Sequence, residues 1–163
     1  MTERIYRVLF LSRRNSARSI MAEAILNKLG KGHFQAFSAG IEPTAVIDPM
    51  VAAVLKHGDF PFTDHKPKHY REFSHDDAEH LDFVFTLSDT AAGEPYPEWP
   101  GVPVTAHWSS PDPTHFVGEA WERERELSRV MGELTRRIGI FVNLPLGSLD
   151  RMSLQSHVDE IAR

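Results

Sequence analysis

A chain of 163 residues with 41% hydrophobic content is long enough to bury one proper core, so a single domain over residues 1–163 is expected. Its formal charge of −5 argues against nucleic acid or an anionic membrane as the general partner, since both require a broad basic surface. The sequence has no cysteine, which excludes disulfides, thiolate metal sites and a cysteine nucleophile together.

In chain order, Ile5 to Leu11 is an apolar, aromatic-rich run of strand length that enters a polar loop, as a central parallel strand does. Ala17 to Leu29 places Met21, Ala24, Ile25 and Leu29 at helical spacing and stops near Gly30 and Gly32. Phe34 to Gly40 reads as a second strand, and Asp48 with Pro49 starts a helix reaching His57. Residues 58–72 read as a surface loop with a short helical turn at most. Asp82 to Leu87 is a third strand. Residues 88–101 hold Gly93, Pro95, Pro97, Pro100 and Gly101 and are expected to form no element. Val102 to Trp108 is a fourth strand whose Pro103 suits an edge or a strand start. Glu119 to Ile140 is an amphipathic helix, and Ser153 to Ala162 a last one covering a sheet face. The alternation predicts an α/β fold with a parallel sheet and right-handed crossovers. No apolar run reaches membrane-spanning length and the N-terminus lacks a signal-peptide pattern, so a cytoplasmic protein is expected.

The chemistry concentrates between the first strand and the first helix. Ser12-Arg13-Arg14-Asn15-Ser16-Ala17-Arg18-Ser19 is a tight polar loop entering a helix N-terminus, where several backbone N–H groups converge and favour an anion. Arg18 adds a planar fork suited to a tetrahedral oxyanion.

This stretch, with Met21-Ala22-Glu23-Ala24 after it, resembles the signature loop of the low-molecular-weight protein tyrosine phosphatase and arsenate reductase superfamily. Later segments are similar in family order: Thr86-Leu87-Ser88-Asp89, Gly93-Glu94, Pro97, Pro100-Gly101, His107-Trp108, Asp112-Pro113 and Leu144-Pro145-Leu146. The resemblance implies a three-layer α/β sandwich with a four-stranded parallel sheet. It also implies Arg18 as anion clamp, Ser19 as the hydroxyl that steadies the nucleophile, and Asp112 as general acid. Neither a cofactor nor a metal is implied.

One residue departs from the pattern decisively: Ser12 stands where the family has its nucleophilic cysteine. A thiolate can exist at neutral pH, whereas an alkoxide needs a base. His107 and His115 flank Asp112 and are the histidines to test for that role. Two further relay cysteines of the thioredoxin-coupled reductases correspond to Ser88 and, approximately, Tyr96, so a disulfide relay is impossible. Engineering would explain serine at 12 and 88, but Tyr96, Arg13 and Arg14 favour natural loss. Arg14 replaces a usual glycine, which predicts a loop bent differently. Arg13 and Arg14 either raise the potential at the mouth, fold over it, or pair with surface carboxylates.

Other constellations read as structure. His65 and His69 stand four apart near His75, Glu79 and His80, but Pro67 breaks the helix a metal-binding pair would need, so no metal site is expected. Trp99 and Trp108 flank the predicted mouth, as an aromatic wall or as core. The expected function is binding of an oxyanion (phosphate, sulfate, arsenate) or of a phosphorylated small molecule or protein through Arg13, Arg14, Asn15, Ser16, Ala17, Arg18 and Ser19, without efficient turnover. The alternatives are a weak phosphatase using Ser12 or water with Asp112 as acid, and a regulatory protein whose mouth Arg14 closes.

Overall fold

A computed structural model describes residues 4–61, 66–115 and 117–162. Four parallel strands form one sheet in the order β2-β1-β3-β4, with β1 Tyr6–Ser12, β2 Phe34–Gly40, β3 Phe83–Thr86 and β4 Val104–His107. The register sets Ser12 beside Gly40 and Leu11 beside Thr86, so β1, β2 and β3 end together at one edge of the sheet. Strand β1 is central because both its faces are apolar: Val8 and Phe10 pack on one side, Leu9 and Leu11 on the other, all fully buried.

The two faces are covered unequally. Helices α1 (Arg18–Leu29), α2 (Pro49–His57), α4 (Ala120–Val142) and α5 (Arg151–Ile161) supply the apolar residues of the larger core, which takes Val8 and Phe10. Over the other face lies a thin layer in which Phe37, Tyr70, Phe73, Tyr96 and Trp99 pack on Leu9, Leu11, Leu81 and Val84. This is the expected three-layer α/β arrangement, with one layer made mostly of turns and loop. Among the described residues no helix is long and apolar enough to cross a membrane.

Several sequence expectations need correction. Residues 88–101 do contain an element, the one-turn helix α3 (Asp89–Ala92). Its breakers begin only at Gly93, and Ser88 caps it by accepting from the Ala91 N–H at 3.1 Å. The last helix begins at Arg151, two residues ahead of the expected start, because the Asp150 carboxylate accepts from the Ser153 N–H at 2.8 Å. Strands three and four are shorter at both ends than expected. Trp108 is no wall of the mouth: it is wholly buried, stacked on Phe85 at 4.0 Å with its indole N–H donating to the Val158 carbonyl at 2.9 Å. Trp99 lies in the thin layer, 5.2 Å from the Tyr96 ring.

Strand β4 is an edge, and side chains from α5 shield it. Arg151 donates to the carbonyls of Val102 and Pro103, and Gln155 to that of Thr105. Polar side chains thus occupy acceptors that would otherwise invite another strand.

Candidate functional site

The loop after β1 is built from within and stitched from outside. Ser12 Oγ lies 2.7 Å from Ser19 Oγ and accepts from the Asn15 N–H at 3.3 Å. The Asn15 side-chain amide donates to Ser19 Oγ at 2.8 Å, and its carbonyl accepts from the Lys68 N–H at 2.9 Å. Externally, the carbonyls of Arg13 and Arg14 accept from the N–H groups of Ile41, Glu42 and Thr44. Ser12, Asn15 and Ser19 are all buried.

Two backbone requirements fix the turn. Asn15 has φ 51°, the left-handed region that asparagine tolerates better than most residues. Arg14 is not in that region, so an arginine there carries no left-handed strain; the left-handed residue is its neighbour. Gly40 is required for a different reason. A Cβ on it would stand 2.9 Å from the Asn15 nitrogen and 3.0 Å from the Arg13 oxygen, inside contact distance of the loop backbone.

Helix α1 starts without a side-chain cap, since its N-cap is Ala17. By contrast, Asp48, Ser88 and Asp150 cap α2, α3 and α5, and Glu119 and Glu122 form a capping box on α4. Among the described residues, the N–H groups of Arg13, Arg14, Ser16, Ala17, Arg18 and Ser19 donate to no protein acceptor. Six orphan donors at one helix N-terminus are the makings of an anion cradle.

Arg18 links this cradle to Asp112. Its guanidinium donates to the Ser110 carbonyl at 3.0 Å and reaches the Asp112 carboxylate at 3.5 Å, with both side chains mostly buried. Burial pushes the proton affinity of Arg18 down, while Asp112 and Asp89 push it back up. Asp112 also accepts from the Thr114 N–H at 2.9 Å and from its hydroxyl at 2.6 Å. Ser109, just upstream, is held at its carbonyl by Arg137 of α4 at 2.7 Å. The Asp112 loop is therefore pinned by arginines from two helices.

Among the described residues, no histidine hydrogen-bonds to Ser12. His107 spends Nδ1 on Thr86, 2.8 Å from its hydroxyl, and Nε2 on Asp89 at 3.1 Å. His65 and the side chain of His115 lie outside the described residues; His69 Nδ1 accepts from the Arg71 N–H and so begins a 3-10 turn over Tyr70–Phe73. At the two relay positions, Ser88 is a helix cap and the Tyr96 hydroxyl donates to the Ala91 carbonyl at 2.7 Å. Burial pushes the Tyr96 phenol far above its usual value, so it stays protonated. Arg13 lies 3.8 Å from Glu42 with its side chain part-exposed and its Nε buried, and Arg14 is exposed.

Nothing in the sequence pattern marks Glu23 as a site residue. It is 4% exposed on α1, and burial pushes its carboxyl up to about 7, opposed by Lys68 and Ser38. Lys68 is the residue whose N–H holds Asn15. Because the folded value lies above the unfolded one near 4.5, the folded state holds the extra proton between those values. The stability from Glu23 is thus complete below pH ~4.5 and lost as pH rises through about 7. Relative to Glu23→Gln, the wild type is expected to lose on the order of 3 kcal/mol between pH 5 and pH 8. Denaturant titrations of both proteins at the two pH values measure this, and parallel curves refute it.

A parallel α/β sheet whose central strand runs through a tight loop into an uncapped helix N-terminus defines a class of fold. Within it, a family model for low molecular weight phosphotyrosine protein phosphatases matches residues 7–132, and the chain belongs to that family. It is 30% identical over 107 residues to a glutaredoxin arsenate reductase of Synechocystis sp., across 66% of this chain and 78% of that protein. It is similar in structure to an arsenate reductase from Archaeoglobus fulgidus, with TM-score 0.61 and 26% identity over 81% of this chain and 98% of the other. A solved arsenate reductase in a phosphate binding state matches at TM-score 0.63 and 25% identity, covering 84% and 96%.

Proposed function

We propose that this chain binds an oxyanion, namely phosphate, sulfate, arsenate or the phosphoryl group of a partner, in the loop of residues 12–19 and does not turn it over efficiently. The observation that carries the reading is the uncapped start of α1, where six backbone N–H groups of the loop and first turn have no protein acceptor among the described residues. Phosphate binding by a structurally similar reductase is consistent with it. Ser12 remains a neutral hydroxyl, held by Ser19 and Asn15 and not approached by His107.

The weak-phosphatase reading needs Asp112 as a proton donor. Thr114 donates to its carboxylate twice and Arg18 forms an ion pair with it, which suits an anchor for Arg18 better than an acid. The two readings predict opposite results for Asp112→Asn. A binding protein gains phosphate affinity severalfold, because Arg18 is released to the anion and a nearby negative charge is removed; an enzyme loses turnover. Calorimetric titration with phosphate, sulfate and arsenate, alongside an aryl-phosphate assay, distinguishes them. Arg18→Ala is expected to weaken phosphate binding by about tenfold to a hundredfold, the worth of a charge-assisted hydrogen-bonding fork. Wild type that binds none of the three anions sinks the proposal.

A further inference from the structure

Three guanidinium groups lie within six residues of this loop, and a single phosphoryl group in the cradle employs one of them. Arg18 is the mostly buried one and is already engaged with Asp112 and Ser110. Arg14 is exposed and, among the described residues, its side chain makes no hydrogen bond or ion pair. Arg13 meets only Glu42, at 3.8 Å between two side chains that are 40% and 64% exposed, an arrangement of little energetic worth. Its Nε is nevertheless buried without a hydrogen-bond partner.

The backbone beneath these arginines is fixed. The Arg13 and Arg14 carbonyls are tied to residues 41–44, Gly40 presses against the loop, and Asn15 is anchored to Ser19 and Lys68. Two long cationic side chains thus rise from a rigid rim beside the cradle. Two like charges carried by neighbouring residues favour an anion that neutralises both. This happens in a chain with 23 acidic residues to 18 basic ones, so the positive field is local to the loop. Beside Arg18, the Ser110 hydroxyl is also buried and without a hydrogen-bond partner, an unspent donor next to the clamp.

Resting on the oxyanion-binding reading above, we infer that the ligand of this loop carries a second anionic group next to its phosphoryl group, and that Arg14, with Arg13 beside it, selects for that second charge. Arg18 and the backbone N–H groups hold the first oxyanion; Arg14 holds the second, at the exposed rim. The shared chemistry fits a diphosphate and equally a phosphorylated residue flanked by a carboxylate. Because the second contact is exposed, salt screens it more than it screens the first.

The test is a thermodynamic cycle between residue and ligand. Calorimetry gives affinities of wild type, Arg14→Ala and Arg14→Lys for inorganic phosphate, for pyrophosphate, and for two phosphotyrosine peptides differing by an aspartate or an alanine beside the phosphorylated residue. The preference for pyrophosphate over phosphate is expected to fall by about fivefold or more in Arg14→Ala and to be partly kept in Arg14→Lys. The same loss of preference between the two peptides assigns the second anion to a phosphorylated protein; its restriction to pyrophosphate assigns it to a small diphosphate. An unchanged preference, or equal weakening of every ligand, overturns the inference. Phosphate binding without an Arg14-dependent preference removes this inference alone, whereas absence of phosphate binding removes the binding reading beneath it.

Discussion

Ser12→Cys is expected to raise aryl-phosphate hydrolysis far above that of the wild type. The position already has what a thiolate requires. It sits at the end of β1, facing the uncapped N-terminus of α1, with the Ser19 hydroxyl 2.7 Å away and the Asn15 N–H pointing at it. A thiol's ordinary pKa near ~8.5 falls when a helix N-terminus and a guanidinium are close, so the substituted side chain ionises near neutral pH. The hydroxyl now present does not. Activity about a hundredfold or more above wild type is the expected gain, since the nucleophile alone is being supplied. It should vanish in Ser12→Cys combined with Arg18→Ala. A variant that still binds phosphate yet hydrolyses nothing would refute the expectation and place the defect at Asp112, whose carboxylate is tied down by Arg18 and Thr114. Ser12→Ala is the control: any wild-type hydrolysis surviving it at full rate does not use the serine.

The strand-loop-helix unit around Ser12 was legible because its signals are local. An apolar run, a polar loop and helical spacing of Met21, Ala24 and Ile25 follow one another within a short stretch, and the absent cysteine is a fact of composition. The later landmarks gave the sheet its four strands and put Asp112 after the last of them. What escaped notice depends on partners far away in sequence. Lys68 anchors Asn15 from 53 residues off, and Arg18 reaches Ser110 from 92, contacts for which no periodicity gives a signal. Glu23 stands in the helix motif with no role assigned to it, yet α1 is buried almost all round, from Arg18 to Leu26. Counting breakers failed at residues 88–101 because one turn of helix fits between the Ser88 cap and Gly93. The question over Trp108 was settled by volume. A cavity walled by Phe10, Phe85 and Phe141 takes the indole whole, which position along the chain does not reveal.

Trp108→Ala is accordingly a stability mutation with a consequence for the site. The indole is fully buried, stacks on Phe85 at an interplanar angle of 14°, meets Phe141 edge-on at 5.9 Å, and bonds to Val158 of α5. It therefore holds together the sheet, α4 and α5. Removing it leaves a cavity in a core too interlocked to collapse, at a cost of about 3–5 kcal/mol, read as a lower denaturation midpoint at unchanged slope. Trp108→Phe keeps much of the packing and loses the hydrogen bond, so a cost of about 1 kcal/mol plus the unfilled volume is expected. A loss below about 1 kcal/mol for the alanine variant would mean that neighbouring rings close the gap. The site enters through the backbone: Trp108 donates its N–H to Thr86, Ser110 donates to Leu87, and the Ser110 carbonyl is where Arg18 rests. Loosening residue 108 shifts the base of the segment that positions Arg18, so the alanine variant should bind phosphate more weakly than the phenylalanine variant even where both are fully folded.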